Sequence, residues 1–233
     1  MDLHASSVKK DFIRKRQDSN VFTAVSETEL TLTAGSLTVV TGRSGSGKST
    51  LLNMLSGLLC PTSGRVLAGD TDLYRLPDRA LSAFRNQHFG LVPQGQTAIF
   101  TLTVEENILL PLTLYGIRRK DLPQLEASKA RMEELLAMTG IADLKAVMPS
   151  ELSGGEMRRM AIARALIRDP EILFADEPTG DLDDANTRIV LSLLRQIANQ
   201  GKTVFLVTHE KEAASYADRL YRMEQGQLIA ESF

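Results

Sequence analysis

The sequence predicts an α/β fold, with a largely parallel sheet and helices on its faces. Three observations carry that expectation. Buried-type apolar runs at Leu37–Thr41, Glu171–Asp176 and Thr203–Val207 are separated by helical stretches, the alternation that parallel sheets require. A glycine-rich loop joins the first of these runs to a helix. At 233 residues, with 43% hydrophobic and 24% charged residues, the chain is long enough for one substantial core with a smaller appended part.

The elements follow in order. Thr28–Thr33 alternates with period two and stops at Ala34-Gly35, which reads as a strand. The basic run Lys9–Arg16 reads as a solvated loop. After Leu37–Thr41 comes Gly42-Arg43-Ser44-Gly45-Ser46-Gly47-Lys48-Ser49, then a helix from Thr50 to Gly57. Pro61–Gly64 is a turn, Arg65–Gly69 a short strand, Arg79–Arg85 a helix and Phe89–Val92 a strand. From Thr103 to Val147 the pattern is helical throughout. Within it Glu126–Thr139 carries Ala130, Leu135, Leu136 and Met138 at helical spacing, with Gly140 as its stop. This stretch reads as a helical insertion in the α/β core. The core resumes with the Glu171–Asp176 strand, a helix over Asp184–Asn199, a Gly201-Lys202 turn and the Thr203–Val207 strand.

Strand, glycine loop and helix in that order form the setting of a phosphate-binding P-loop. Glycines let successive N–H groups point into one hollow, and the helix N-terminus adds unpaired donors and a positive dipole end. Lys48 reaches β- and γ-phosphates in such a loop, and the Ser49 hydroxyl ligates Mg²⁺. Asp176 ends a buried strand where open α/β sheets place their ligands, which suits a Mg²⁺ ligand. Glu177 follows it, a carboxylate placed to polarise an attacking water. Leu152-Ser153-Gly154-Gly155-Glu156 precedes an apolar helix running to Arg168. Ser153 and Glu156 have capping-box spacing, and a glycine-rich helix start offers bare N–H groups to an anion.

Over essentially its whole length the chain resembles the ATP-binding subunits of ABC transporters. Gly42–Thr50 resembles their Walker A, Ile172–Asp176 their Walker B, Glu177 their catalytic glutamate, and Leu152–Glu156 their signature, with Glu156 where glutamine is usual. Gln94 matches the Q-loop glutamine, which contacts Mg²⁺ and the attacking water. Gly180–Asp183 resembles the D-loop, and His209 the switch histidine that contacts the γ-phosphate and orients Glu177. For the aromatic that stacks on adenine, Phe12 is the first choice and Phe22 the alternative.

The resemblance implies a P-loop NTPase core with a largely parallel sheet, an N-terminal antiparallel β subdomain and a helical insertion subdomain. Residues 1–93 and 169–233 would form the nucleotide-binding core, and 94–168 the helical part carrying the signature, all in a single ATPase domain, 1–233. It implies ATP and Mg²⁺ as ligands. It also implies a homodimer, or a pair with another such subunit, in which Ser153, Gly154, Gly155 and Glu156 complete the partner's nucleotide site.

A separate integral membrane permease is implied as well, docked near Leu102–Ile108, which places the chain in the cytoplasm on the inner face of the membrane. The stretches Ser44–Asn53, Leu102–Ile108 and Asp176–Asp183 together resemble the branch serving lipoprotein release, macrolide export and antimicrobial-peptide resistance. A regulatory ATPase signalling through a membrane partner is the alternative, and a non-transport ATPase of DNA repair or translation a more distant one.

Composition narrows the partners. A net charge of −2 supplies no global attraction for nucleic acid or an anionic membrane. No apolar run has bilayer-spanning length, and Met1–Ala5 does not open a secretory leader. Cys60, the sole cysteine, excludes an internal disulfide and reads as a small, buried or half-buried hydrophobe. His4 and His88 stand in no motif.

Overall fold

The computed structural model describes residues 1–13, 21–95, 97–114 and 122–231. The chain opens with two long strands, β1 (Leu3–Ile13) and β2 (Val21–Leu32), followed by β3 (Leu37–Thr41) and α1 (Lys48–Leu55). Next come β4 (Ser63–Ala68), β5 (Thr71–Asp72), α2 (Asp78–His88) and β6 (Phe89–Val92). Three helices follow, α3 (Val104–Leu114), α4 (Leu122–Met138) and α5 (Gly154–Leu166). The remainder is β7 (Ile172–Asp176), α6 (Asp184–Asn199), β8 (Thr203–Thr208), β9 (Arg219–Glu224) and β10 (Gln227–Glu231).

Two sheets result. One has the order β2-β1-β4-β5 and is antiparallel; the other has the order β10-β9-β3-β8-β7-β6. In the second sheet β9, β3, β8, β7 and β6 run parallel, and only β10 turns back. The α/β fold with a largely parallel sheet and an N-terminal antiparallel sheet is therefore observed. Every residue of β7 and β8 is buried, which explains why their sequences read as continuous apolar runs rather than alternations. Phe89, Phe174 and Phe205 pack edge-on across β6, β7 and β8, with ring centroids 5.2 and 6.1 Å apart. Each buried side chain of this size contributes about 1.5–3 kcal/mol. The other face of the sheet packs against α5 and α6 through Ile162, Leu166, Val190 and Leu194.

Between Thr103 and Val147 the described residues form helices and no strand. Helix α3 is capped by Thr103 and Glu106: Thr103 N donates to the Glu106 carboxylate at 2.9 Å, and Glu106 N to Thr103 Oγ1 at 3.3 Å. Buried Asn107 ties down the preceding turn. Its Nδ2 donates to the Ile99, Leu102 and Thr103 carbonyls, and its Oδ1 accepts from Ile99 N. Ile99 and Phe100 are thereby held outward, both exposed.

Two expectations change. The solvated loop expected at Lys9–Arg16 is strand as far as Ile13; Arg14–Arg16 lie outside the described residues. Charge does not oppose the strand, because Lys9 pairs with Asp11 at 2.8 Å and Thr23 Oγ1 donates to Asp11 at 2.7 Å. Cys60 is exposed rather than packed, since it lies in the turn after α1. The β9–β10 hairpin was not foreseen. Its two-residue turn is Gln225-Gly226, both at positive φ (48° and 82°), the backbone that suits the twist of a tight hairpin. The Gln-Gly pair between Tyr221, Met223 and Leu228 was the available signal.

Candidate nucleotide site

Loop 42–47 leaves β3 and enters α1 under tight steric control. Gly47 sits at φ +110°, and a Cβ there would lie 2.3 Å from the Ala24 carbonyl oxygen of β2. The hairpin turn closes the other side: Gly226 N donates to Ser46 O at 2.9 Å, and Ser26 N donates to Gly226 O at 2.8 Å. The loop is thus wedged between the antiparallel sheet and β9–β10. Gly47→Ala combines positive-φ strain with backbone overlap, strain alone costing about 1–3 kcal/mol. The expected result is a clear drop in the urea midpoint; an unchanged midpoint would refute the wedge.

Lys48, 5% exposed, turns its ammonium into the loop. Nζ donates to Gly42 O at 2.8 Å and Arg43 O at 3.2 Å, and pairs with Glu177 Oε1 at 3.3 Å. Ser49 Oγ donates to Asp176 Oδ1 at 2.9 Å. Burial pushes the Asp176 carboxyl above its usual range, the Ser49 bond works against that, and the neighbouring Glu177 charge adds to it. Glu177 follows at φ +47°, a left-handed backbone that swings it out of the strand. Its Oε2 accepts from His209 N at 3.1 Å and lies 2.8 Å from His209 Nδ1. The P-loop lysine, Glu177 and the histidine after β8 are thereby one connected group, with the Ser49–Asp176 pair beside it. A cleft of about 860 Å³ opens beside them, lined by Gly42–Ser46, His209, Lys211 and the β9–β10 hairpin. Arg43, Ser44 and Gly45 form part of its wall, and Thr50 lies in the first turn of α1.

The 152–156 segment lies elsewhere. None of Ser153, Gly154, Gly155 and Glu156 lines that cleft. The capping box is present: Ser153 N and Oγ both donate to Glu156 Oε2 at 2.7 Å, and Glu156 N donates to Ser153 Oγ at 3.4 Å. The Ser153 hydroxyl beside it holds the Glu156 carboxyl below its ordinary range. Gly155 packs on α6, where a Cβ would meet Asn186 Oδ1 at 2.3 Å. Asp183 caps α6 by accepting from Asn186 N at 2.8 Å.

Gln94 is exposed just beyond β6. Phe12 and Phe22 face each other as a cross-strand pair in β1 and β2. Neither lines the cleft, and Lys10 Nζ sits 5.3 Å above the Phe12 ring. Sequence reasoning missed the hairpin and two side chains, Asn107 and Arg158, that act on loops rather than within motifs.

The ABC transporter family profile matches residues 25–180. The chain belongs to that family. As an ABC ATPase it binds and hydrolyses ATP and serves as the nucleotide-binding subunit of a transporter. It is 42% identical over 203 residues to the lipoprotein-releasing system ATP-binding protein LolD of Geobacter metallireducens, covering 87% of this chain and 88% of that one. That likeness agrees with the lipoprotein-release branch expected from the sequence. The methionine import ATP-binding protein MetN of Latilactobacillus sakei is 41% identical over 231 residues, covering 98% of this ABC ATPase and 64% of MetN. Among solved structures, the dimeric post-hydrolysis state of the ATP-binding cassette MJ0796 bound to ADP and Pi superposes with TM-score 0.86. It is 32% identical and covers 99% of this chain and 98% of that one. No helix among the described residues of the ABC ATPase is long and apolar enough to cross a membrane.

Proposed function

We propose that two protomers close head to tail on two molecules of ATP and Mg²⁺, and that hydrolysis drives a separate membrane permease exporting a lipoprotein, peptide or drug. The carrying observation is the division of the site. Lys48, Glu177 and His209 form one linked group beside the glycine loop, while the exposed, capped tip of α5 stands outside that cleft. A second copy would bring that tip to the phosphates. The dimeric MJ0796 cassette supports this arrangement.

In this reading the loop amides from Gly42 to Thr50 and the Lys48 ammonium bind the triphosphate, and Ser153, Gly154, Gly155 and Glu156 of the second copy close over it. Ser49 Oγ and Asp176 Oδ1, an oxygen pair 2.9 Å apart, suit Mg²⁺, which takes few protein ligands and completes its shell with phosphate and water. Gln94 would join them. Bound there, Mg²⁺ neutralises charge on the phosphate oxygens. Glu177 accepts the proton of the attacking water, and His209 orients Glu177 through Nδ1. Phe12 stacks on adenine, with Phe22 as the alternative. Residues 94–168 act as the helical subdomain, and exposed Ile99 and Phe100 lie next to the 102–108 segment that meets the permease. The LolD likeness supports export; the nearly as high identity to an import subunit fits a power subunit whose permease chooses the cargo.

Sedimentation tests the pairing. With Mg²⁺ and a non-hydrolysable ATP analogue the protein should sediment as a dimer, and with ADP as a monomer. Ser153→Trp should abolish the association while a single protomer still binds nucleotide; a monomer under every condition would refute the proposal. Asp176→Asn separates stability from function. Because burial raises the Asp176 carboxyl, its ionised form costs stability at neutral pH, where the unfolded chain carries the charge freely. Tm without nucleotide should therefore rise in Asp176→Asn while turnover falls and the Mg²⁺ requirement climbs. A lowered Tm would contradict the assignment.

A further inference from the structure

The Gln94 side chain is exposed, and the backbone on either side fixes its position. Pro93 O and Gly95 O, the carbonyls flanking Gln94, both accept from Arg158 Nη1, at 3.2 and 3.4 Å. Arg158 projects from α5, four residues after Gly154 at the helix tip. Farther along the same helix, Arg164 Nη1 donates to Thr97 O at 2.7 Å, and its Nη2 bonds Thr97 Oγ1. Helix α5 therefore grips the segment after β6 at two points. A small cavity of about 170 Å³ lies among Gly95, Gly154, Arg158, Gly180 and Asp181. Burial lowers the basicity of Arg158, and the carboxylate of Asp181, which lines the same cavity, works to restore it. The half-buried guanidinium thus bonds the loop carrying Gln94 and lines a cavity shared with the tip of α5 and the turn before α6.

We infer that Arg158 is a positioning residue for hydrolysis. It ties the carbonyls of Pro93 and Gly95, the residues on either side of Gln94, to α5, so that closure of the α5 tip on a second protomer and delivery of Gln94 to the metal and water are one movement. Arg164 holds the far end of the segment. The inference rests on the reading of Gln94 given above. A displacement of about 1 Å at such a group is enough to cost about a hundredfold in rate. Arg158 touches no reacting atom, so its effect must pass through Gln94.

A double-mutant cycle on the full chain tests this, with kcat, KM and Tm measured for Arg158→Met, Gln94→Ala and the pair. Arg158→Met should lower kcat by about 10- to 100-fold with little change in KM. In the Gln94→Ala background the same change should cost less than about twofold. Arg158→Lys, which retains a donor for the two carbonyls, should recover part of the rate. An equal loss in both backgrounds, with Gln94→Ala itself impaired, would overturn the role of Arg158 and leave Gln94 standing. Normal turnover in Gln94→Ala would bring down the reading of Gln94 and the inference with it. Should Arg158→Met melt below the assay temperature, Arg158→Gln goes through the same cycle under the same criteria.

Discussion

Glu177→Gln should bind ATP and fail to turn it over. The side chain is 8% exposed and held on both oxygens: Oε1 by Lys48 at 3.3 Å, Oε2 by the backbone and ring of His209. Glutamine keeps the shape and one carbonyl acceptor, so the pocket survives in outline while that oxygen accepts from His209 or from Lys48 but not from both. What disappears is basicity. A positioned general base is worth about 10²–10⁴-fold, and kcat should fall by that order while nucleotide affinity holds. Because the γ-phosphate then persists, the variant should also accumulate as the nucleotide-bound dimer, visible by sedimentation with ordinary ATP. Turnover within a fewfold of the parent would remove Glu177 from its role and point to His209 or a water held by Gln94.

Lys48→Ala should lose the nucleotide itself. Three acceptors converge on the Lys48 ammonium: Gly42 O, Arg43 O and Glu177 Oε1. Its removal has two consequences of the same sign. The triphosphate loses its main protein counter-charge, and Glu177 is left buried without its cation. Charge-assisted bonds are worth about 1.5–3 kcal/mol each, and each 1.4 kcal/mol is about tenfold in affinity. The Kd for MgATP, read by titration calorimetry, should rise by at least about a hundredfold. Lys48→Arg is the informative companion. It restores charge but not the compact ammonium that the loop carbonyls surround, so it should recover affinity only in part. Unaltered binding in Lys48→Ala would contradict the whole site.

The parts of this protein that were legible in its sequence share one property: their signal is local. Gly42–Ser49 declares its backbone demands within eight residues, and Ser153 with Glu156 declares a cap within four. Ile172–Asp176 and Thr203–Val207 announce burial by being apolar throughout. Asp184–Asn199 showed its helix by spacing, and the observed α6 has those ends. What was illegible depends on distant partners. Lys9–Ile13 looked like a solvated loop because its stabilisation comes from β2 and β4 across the sheet. Arg158 looked like one more charge on a helix, since nothing near it in sequence says that its acceptors are Pro93 and Gly95. Asn107 is 0% exposed, and only the fold reveals that four bonds satisfy it. Phe12 and Phe22 were hard to separate in sequence, and in the fold they stand opposite each other across the β1–β2 pair.

The wedge around Gly47 has a consequence in time. The residues that hold the glycine loop come from Ala24 and Ser26 on one side and from Met223 and Gly226 on the other, nearly two hundred positions apart in the chain. A ribosome delivers the first support long before the second. During synthesis the loop emerges early, next to the strand it will lean on, yet lacks half of its enclosure until the late hairpin has left the exit tunnel and found β3. Nascent chains halted before residue 219 should therefore be unable to retain nucleotide.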